Sequence, residues 1–326
     1  MKIYTTEPKS YRAAGPGDLV RLEPLPGSHP PIVERQKLDL LVRGVTEGAR
    51  VHLSGETGTA KTLTIRTLLL RDENFHNICE ALERPRRTLQ VYSCPLSRFD
   101  GPAELTFRRG IRDHNTVDED SLLITALKEQ DGRAGDGYAA ILLPELGRTQ
   151  SELIQGALVE LIGDSVLLDT ENRLLHVPHV AWVADSNYAG TGTFSLVTQD
   201  DSLRRRFDIS IEMGHPEEEQ ECTILEHLVP EAKAEDVAAI VRLGSEVRSA
   251  RREGGLLSVP PPTLFGYEQF LRTRLDLPHL PPDVVAFATV LGHCGDDDRS
   301  LAADLLARTH GVAAGDENEA DAVMGL

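Results

Sequence analysis

The chain has 326 residues, 40% hydrophobic and 26% charged, which is long for one core and suits a larger and a smaller domain. Its 34 basic and 52 acidic residues leave a formal charge of −18, which argues against a general nucleic-acid backbone binder, since that affinity rests on positive charge. No apolar run approaches the roughly 20 residues of a membrane span, the N-terminus lacks a secretory apolar core, and Cys79, Cys94, Cys222 and Cys294 have neither pairing nor metal-ligand spacing, so the cytoplasm is the expected compartment.

In chain order, residues 1–31 set Gly15, Pro16, Gly17, Pro24, Pro26, Gly27, Pro30 and Pro31 among polar residues, and an extended arm or covering loop is expected. From Ile32 to Val45, Leu38, Leu41, Val42 and Val45 fall on one helical face. A first strand is expected at Arg50 to Leu53. It enters the turn Gly55-Glu56-Thr57-Gly58-Thr59-Ala60-Lys61-Thr62, from which a helix runs to about Leu70.

That turn reads as a phosphate-binding loop of the form G-x-x-x-x-G-K-[ST], with Ala60 in place of the second glycine. Gly58 still lets the backbone curl, so that successive N–H groups and the helix N-terminus face phosphate oxygens. In that reading Lys61 reaches the β- and γ-phosphates of ATP and the Thr62 hydroxyl holds Mg²⁺. The alternative is an ordinary strand-turn-helix connection with a chance lysine.

A charged helix and loop follow over Arg71 to Arg87, then a second strand at residues 87–94. Residues 100–120 are polar and irregular, with Gly101-Pro102 and Gly110 as breaks. SLLITALKEQ (121–130) is helical by spacing, and YAAILLPELG is a short apolar run ending in an acid, typical of a buried central strand. A helix from about Gln150 to Ile162, a hairpin-like pair around Val166 to Asp169 and Arg173 to Val177, and a fourth core strand, VAWVADSN (180–187), complete an α/β pattern. Ligands sit at the carboxyl ends of such strands, so Glu145 and Asn187 are expected to face the nucleotide. Beyond Phe207 come five helical stretches without strands, the pattern of a lid.

The stretches GETGTAKT, ILLPELGRTQ, VADSNYAGTGTFSL and SLRRRFDISIEMGHP, in that order and at those separations, resemble the AAA+ ATPases of the MoxR group and its CbbQ/NorQ relatives. The resemblance covers about residues 32–310. It implies an α/β AAA+ P-loop core with a parallel sheet, followed by a small all-α lid. It also implies a homo-oligomer, usually a hexameric ring, with ATP and Mg²⁺ between subunits and von Willebrand factor A domain proteins or other protein clients as partners. The expected division is an arm at 1–31, a nucleotide-binding domain at 32–214, a lid at 215–312 and an acidic, mobile tail at 313–326.

Carried over residue by residue, the resemblance makes Gly55, Glu56, Thr57, Gly58, Thr59, Ala60, Lys61 and Thr62 the phosphate loop and Glu145 the residue that polarises the attacking water. It makes Asn187 the sensor of the γ-phosphate. Arg206, or else Arg205, becomes an arginine finger acting on a neighbouring subunit, a role worth about 10³–10⁵ in rate among related hydrolases. Read without the resemblance, Glu145 is a loop acid, Asn187 a turn former, and Arg204 to Arg206 a helix cap or solvated basic face.

Two positions depart from the pattern. Pro144 stands where the Mg²⁺-organising aspartate is expected, and Ser258-Val259-Pro260-Pro261-Pro262-Thr263 lacks the usual lid arginine, for which only Arg272 or Arg274 lies near. A nucleotide-dependent scaffold or switch that does not hydrolyse ATP therefore stands beside the remodelling ATPase. Asp136 and Glu152 are the acids in sequence that a replacement carboxylate is sought from.

Overall fold

The computed structural model describes residues 2–99, 101–112, 115–131, 137–146, 152–164, 166–168, 174–176, 179–187, 201–256, 258–292, 294–295 and 298–310. The centre is a five-stranded parallel sheet in the order β12-β4-β11-β8-β5. Its strands are β4 (Arg50–Gly55), β5 (Leu89–Ser93), β8 (Tyr138–Leu143), β11 (Val180–Asn187) and β12 (Ile209–Glu212). Every residue of β8, and of β11 from Val180 to Ser186, is buried, as a sheet covered on both faces requires. The apolar runs seen in sequence are these strands.

One face of the sheet packs against α2 (Arg35–Thr46), α3 (Lys61–Leu70) and α4 (Asp72–Ala81), with Leu38, Leu41, Val42, Leu68, Phe75 and Ile78 closing the core. The other face packs against α5 (Leu122–Asp131), α6 (Glu152–Asp164) and the short α7 (Asp201–Arg204), around Ile124, Leu158, Leu161, Trp182 and Leu203. A third cluster is built within α8 (Glu218–Leu228), α9 (Ala234–Arg252), α10 (Leu264–Asp276), α11 (Pro282–Val290) and α12 (Arg299–His310) and the loops between them. These are the five helices expected. The architecture is the one the sequence implies, an α/β core with a parallel sheet followed by an all-α unit.

Two segments differ from expectation. Residues 1–31 were expected as an extended arm or covering loop, yet β1 (Ile3–Thr5) and β2 (Leu19–Arg21) join β3 (Ile32–Glu34) in a three-stranded sheet, with α1 (Pro8–Ala13) between the first two. Tyr11, Val20 and Leu22 are buried in the main core, and the Tyr11 hydroxyl donates to Asp39 at 2.7 Å. The expected helix from Ile32 accordingly begins three residues later, at Arg35. The polar stretch 100–120 holds an antiparallel hairpin of β6 (Phe107–Arg112) and β7 (Asn115–Asp120), which sets Arg108 opposite Glu119 and Arg109 opposite Asp118. Opposite charges facing across a ladder replace the missing apolar face. The pair β9 (Val166–Leu168) and β10 (Leu174–His176) is antiparallel, as the sequence implies.

Candidate functional site

The carboxyl ends of β4, β8 and β11 meet at an open cavity of about 220 Å³. Its lining includes Lys61, Thr62, Glu145, Asp185 and Asn187. Register sets this up: Asn187 pairs with Gly55 and Asp185 with Leu53, while Ala184 pairs with Leu143 on the other side. Since side chains alternate along a strand, Asp185 and Asn187 share one face of β11.

The loop between β4 and α3 has the curl its composition implies. A Cβ on Gly55 would lie 2.0 Å from the carbonyl oxygen of Met213, so only glycine passes there. Ala60, in the position usually held by glycine, adopts the left-handed conformation (φ 58°, ψ 23°), which explains the usual residue and costs an alanine about 1–2 kcal/mol. The Lys61 ammonium is folded back into the loop. It donates to the carbonyls of Glu56 (2.6 Å) and Gly55 (3.1 Å) and to the Thr59 hydroxyl (3.2 Å). Burial lowers its pKa to about 8, against the opposing pull of Asp185 and Glu56. A cation held over the N-terminus of a ten-residue helix is suited to receive a polyphosphate.

Asp185 was not singled out in the sequence, and it is a second acid of the site. Its side chain is buried, with the residue 4% exposed. Oδ2 accepts from the Thr62 hydroxyl at 2.6 Å and Oδ1 from the Glu145 backbone N–H at 3.3 Å. Burial raises its pKa, opposed by the Thr62 hydrogen bond, the Glu145 N–H and the Lys61 charge. The available signal was its spacing of two from Asn187 on an otherwise apolar strand. Glu145 itself sits just past β8 in the left-handed region (φ 55°), following Pro144.

A second cavity, of about 150 Å³, adjoins the loop. Ile32 and Val33 from the N-terminal sheet, Leu63, His215, Thr263 and Phe265 are among its walls, so it lies between the core and the helical unit. Burial, and then the charges of Arg248, Lys61 and Arg252, lowers the pKa of His215 to about 4. It is therefore neutral at pH 7.

Other expected residues fall elsewhere. Arg204, Arg205 and Arg206 are exposed, and no arginine is among the described residues lining the phosphate-loop cavity of the same chain. Arg206 passes beside Gly163 at the end of α6. In the helical unit, Arg272 pairs with Glu268 (2.8 Å) and Arg274 donates to the carbonyl of Leu280 (2.6 Å), so neither is presented to the loop. Asp136, the side chain of Glu152, the stretch 188–200 and the tail 313–326 lie outside the described residues.

No family model and no curated protein matches this sequence. Among solved structures it is similar to the Thermotoga maritima RuvB Holliday junction branch migration motor, at 14% identity and a TM-score of 0.44, over 90% of this chain and 80% of that one. It is also similar to a chain of the Escherichia coli MS115-1 HORMA:CdnC:Trip13 complex, at 16% identity and a TM-score of 0.42, over 80% and 78%. Neither likeness carries an activity to this chain. Among the described residues no helix is long and apolar enough to cross a membrane, and no group of three or more His, Cys, Asp or Glu side chains could hold a metal ion.

Proposed function

We propose that the chain is an AAA+ ATPase of the MoxR type, which binds ATP with Mg²⁺ at the loop Gly55 to Thr62 and uses it to remodel or activate a partner protein. The observation that carries this reading is the convergence of Lys61, Thr62, Glu145 and Asn187 on one cavity at the carboxyl ends of three parallel strands. Loop N–H groups and Lys61 hold the β- and γ-phosphates, and the adjoining apolar cavity takes the base. Glu145 orients and deprotonates the attacking water. Asn187, in register with Gly55, reads the γ-phosphate. Mg²⁺ fits a site of this kind because it keeps several waters and needs few protein oxygens, the Thr62 hydroxyl being one. When bound, it neutralises charge developing on the phosphates.

Arg206, or Arg205 beside it, is exposed and absent from the cavity of its own chain, which suits a residue that completes a neighbour's site in a ring. A hexamer, a von Willebrand factor A domain partner or other protein client and a cytoplasmic location belong to the same reading and rest on the sequence resemblance. A second reading, a nucleotide switch without turnover, is favoured by Pro144 and by the engaged lid arginines.

The deciding experiment measures ATP affinity and steady-state hydrolysis for the native chain, Lys61→Ala and Glu145→Gln. The ATPase reading expects native turnover, lost in both variants, with ATP still bound by Glu145→Gln. Tight binding with native turnover no greater than that of Glu145→Gln, with and without candidate partners, would leave the switch.

A further inference from the structure

Pro144, at the end of β8 where a metal carboxylate is expected, has none to offer. The structure assigns that task to Asp185: we propose that the acid which holds Mg²⁺ beside Thr62 comes from β11, one strand over. The proposal rests on the reading of the loop as a nucleotide site. Three observations carry it.

First, register places Asp185 level with Pro144, since Ala184 pairs with Leu143 and each chain advances one residue. Asp185 therefore replaces the missing carboxylate sideways, across one strand spacing of about 4.8 Å. It also lands nearer the loop, because β11 lies between β8 and β4. Second, Asp185 Oδ2 and the Thr62 hydroxyl are 2.6 Å apart. A loop threonine and a strand aspartate are the two protein groups that hold Mg²⁺ in phosphate-loop enzymes. Here they already touch, so a cation entering between phosphate and protein meets both oxygens with little rearrangement. Third, Asp185 is 4% exposed on a strand whose other buried members, Ser186 apart, are apolar. A buried carboxylate of this kind is costly unless something compensates its charge. It faces a neutral hydroxyl, one long N–H contact, the like charge of Glu145 and the Lys61 ammonium, which donates hydrogen bonds to loop oxygens. A divalent cation supplies the remaining compensation.

The same placement explains Pro144. With the acid on β11, the β8 position no longer needs a side-chain ligand, and the Glu145 N–H after the proline turns to Asp185. The alternative is that Asp185 is purely structural, tying Thr62 to the strand.

The test uses the full-length protein and a fluorescent methylanthraniloyl-ATP probe, with affinity measured in Mg²⁺ and in EDTA. The native chain is expected to bind at least about tenfold more tightly with Mg²⁺. Asp185→Asn, which keeps an acceptor for Thr62 but loses the charge, is expected to bring the Mg²⁺-to-EDTA ratio near one while leaving the EDTA affinity within about twofold. Pro144→Asp combined with Asp185→Asn is expected to restore part of the ratio. Asp185→Thr, read in the same way, covers the case in which the amide disturbs the strand. An undiminished ratio in a folded Asp185 variant overturns the assignment and leaves the ATP site standing. A native chain that binds equally well in EDTA overturns it too, and a native chain that binds no probe in either condition removes the nucleotide site as well.

Discussion

Gly58 is where the loop and the helical unit touch, and replacing it separates backbone strain from steric contact. Its φ is +89°, outside the range an L-residue prefers, and a Cβ there would lie 2.7 Å from Cγ2 of Thr263, against an ordinary contact of 3.4–4 Å. Gly58→Ala therefore costs about 1–2 kcal/mol for the left-handed backbone and about 1–3 kcal/mol for the overlap. It regains roughly 0.4–1 kcal/mol from a less flexible unfolded chain. The net loss is roughly 1–5 kcal/mol, expected as weaker ATP binding and a lower melting temperature. Thr263→Ser removes Cγ2 while keeping the hydroxyl that accepts from the Gly266 N–H at the start of α10, so alone it is expected to be nearly silent. In Gly58→Ala it is expected to recover the steric part, about tenfold or more in ATP affinity. A double variant no better than Gly58→Ala would show that the two sites do not touch in solution.

Three further outcomes follow from named contacts. The Arg248 guanidinium donates twice to the buried Glu221 carboxylate, at 3.0 and 2.9 Å, and once to Tyr267. Glu221→Gln is thus expected to cost about 3–5 kcal/mol in urea unfolding, and Glu221→Leu with Arg248→Met far less; equal losses would refute a buried charge pair. His52 is buried, its Nε2 lies 2.8 Å from the Ser186 hydroxyl, and burial lowers its pKa to about 4. Because the unfolded state takes up the proton first, stability is full above about pH 6.5 and falls as pH drops toward 4, by about 2 kcal/mol from pH 7 to pH 5. His52→Gln is expected to flatten that slope in urea titrations, and an unchanged slope would assign it to other groups. Ala60→Gly relieves the left-handed strain and is expected to raise stability by up to about 1 kcal/mol after the entropy of the added glycine; a drop in melting temperature would contradict the assigned conformation.

The parallel sheet and the loop were legible because their signals are local: buried strands read as apolar runs, and the loop spells its own turn. The lid helices were legible by periodicity for the same reason. The N-terminal sheet was not, since its three strands are three residues each and pair residues 3, 19 and 34 across sequence gaps that no period reveals. The β6–β7 hairpin was hidden by charge, because its ladder matches arginines to acids and shows no apolar face. Asp185 was hidden for a different reason. Its meaning comes from Thr62, 123 positions away, and that relation exists only after β11 has inserted beside β4. Sequence reasoning sought the missing acid in Asp136 and Glu152, on either side of Pro144 in the chain, whereas the proposed acid comes from the next strand of the sheet.

In the proposed nucleotide site, the helical unit meets the loop without an arginine. Family resemblance asks for an arginine at the start of a lid helix, but α10 begins at Leu264 with Thr263 as its N-cap, and Arg272 and Arg274 are tied to Glu268 and to the Leu280 carbonyl. What reaches the loop instead is shape, through the Thr263 methyl against Gly58, and a neutral imidazole, His215, 3.4 Å from Glu56. Neither group adds a positive charge that grows in value with the γ-phosphate. Discrimination between ATP and ADP within one chain should then fall to Asn187 and Lys61. Asn187→Ala is expected to shrink the ratio of ATP to ADP affinity about tenfold or more, the worth of one hydrogen bond to a charged group, about 1.5–3 kcal/mol. Arg272→Ala and Arg274→Ala are expected to leave the ratio unchanged while lowering the stability of the helical unit. If Arg272→Ala collapsed the ratio without loss of stability, α10 would have to turn on nucleotide binding and present that arginine to the phosphate, and contact alone would no longer explain the coupling.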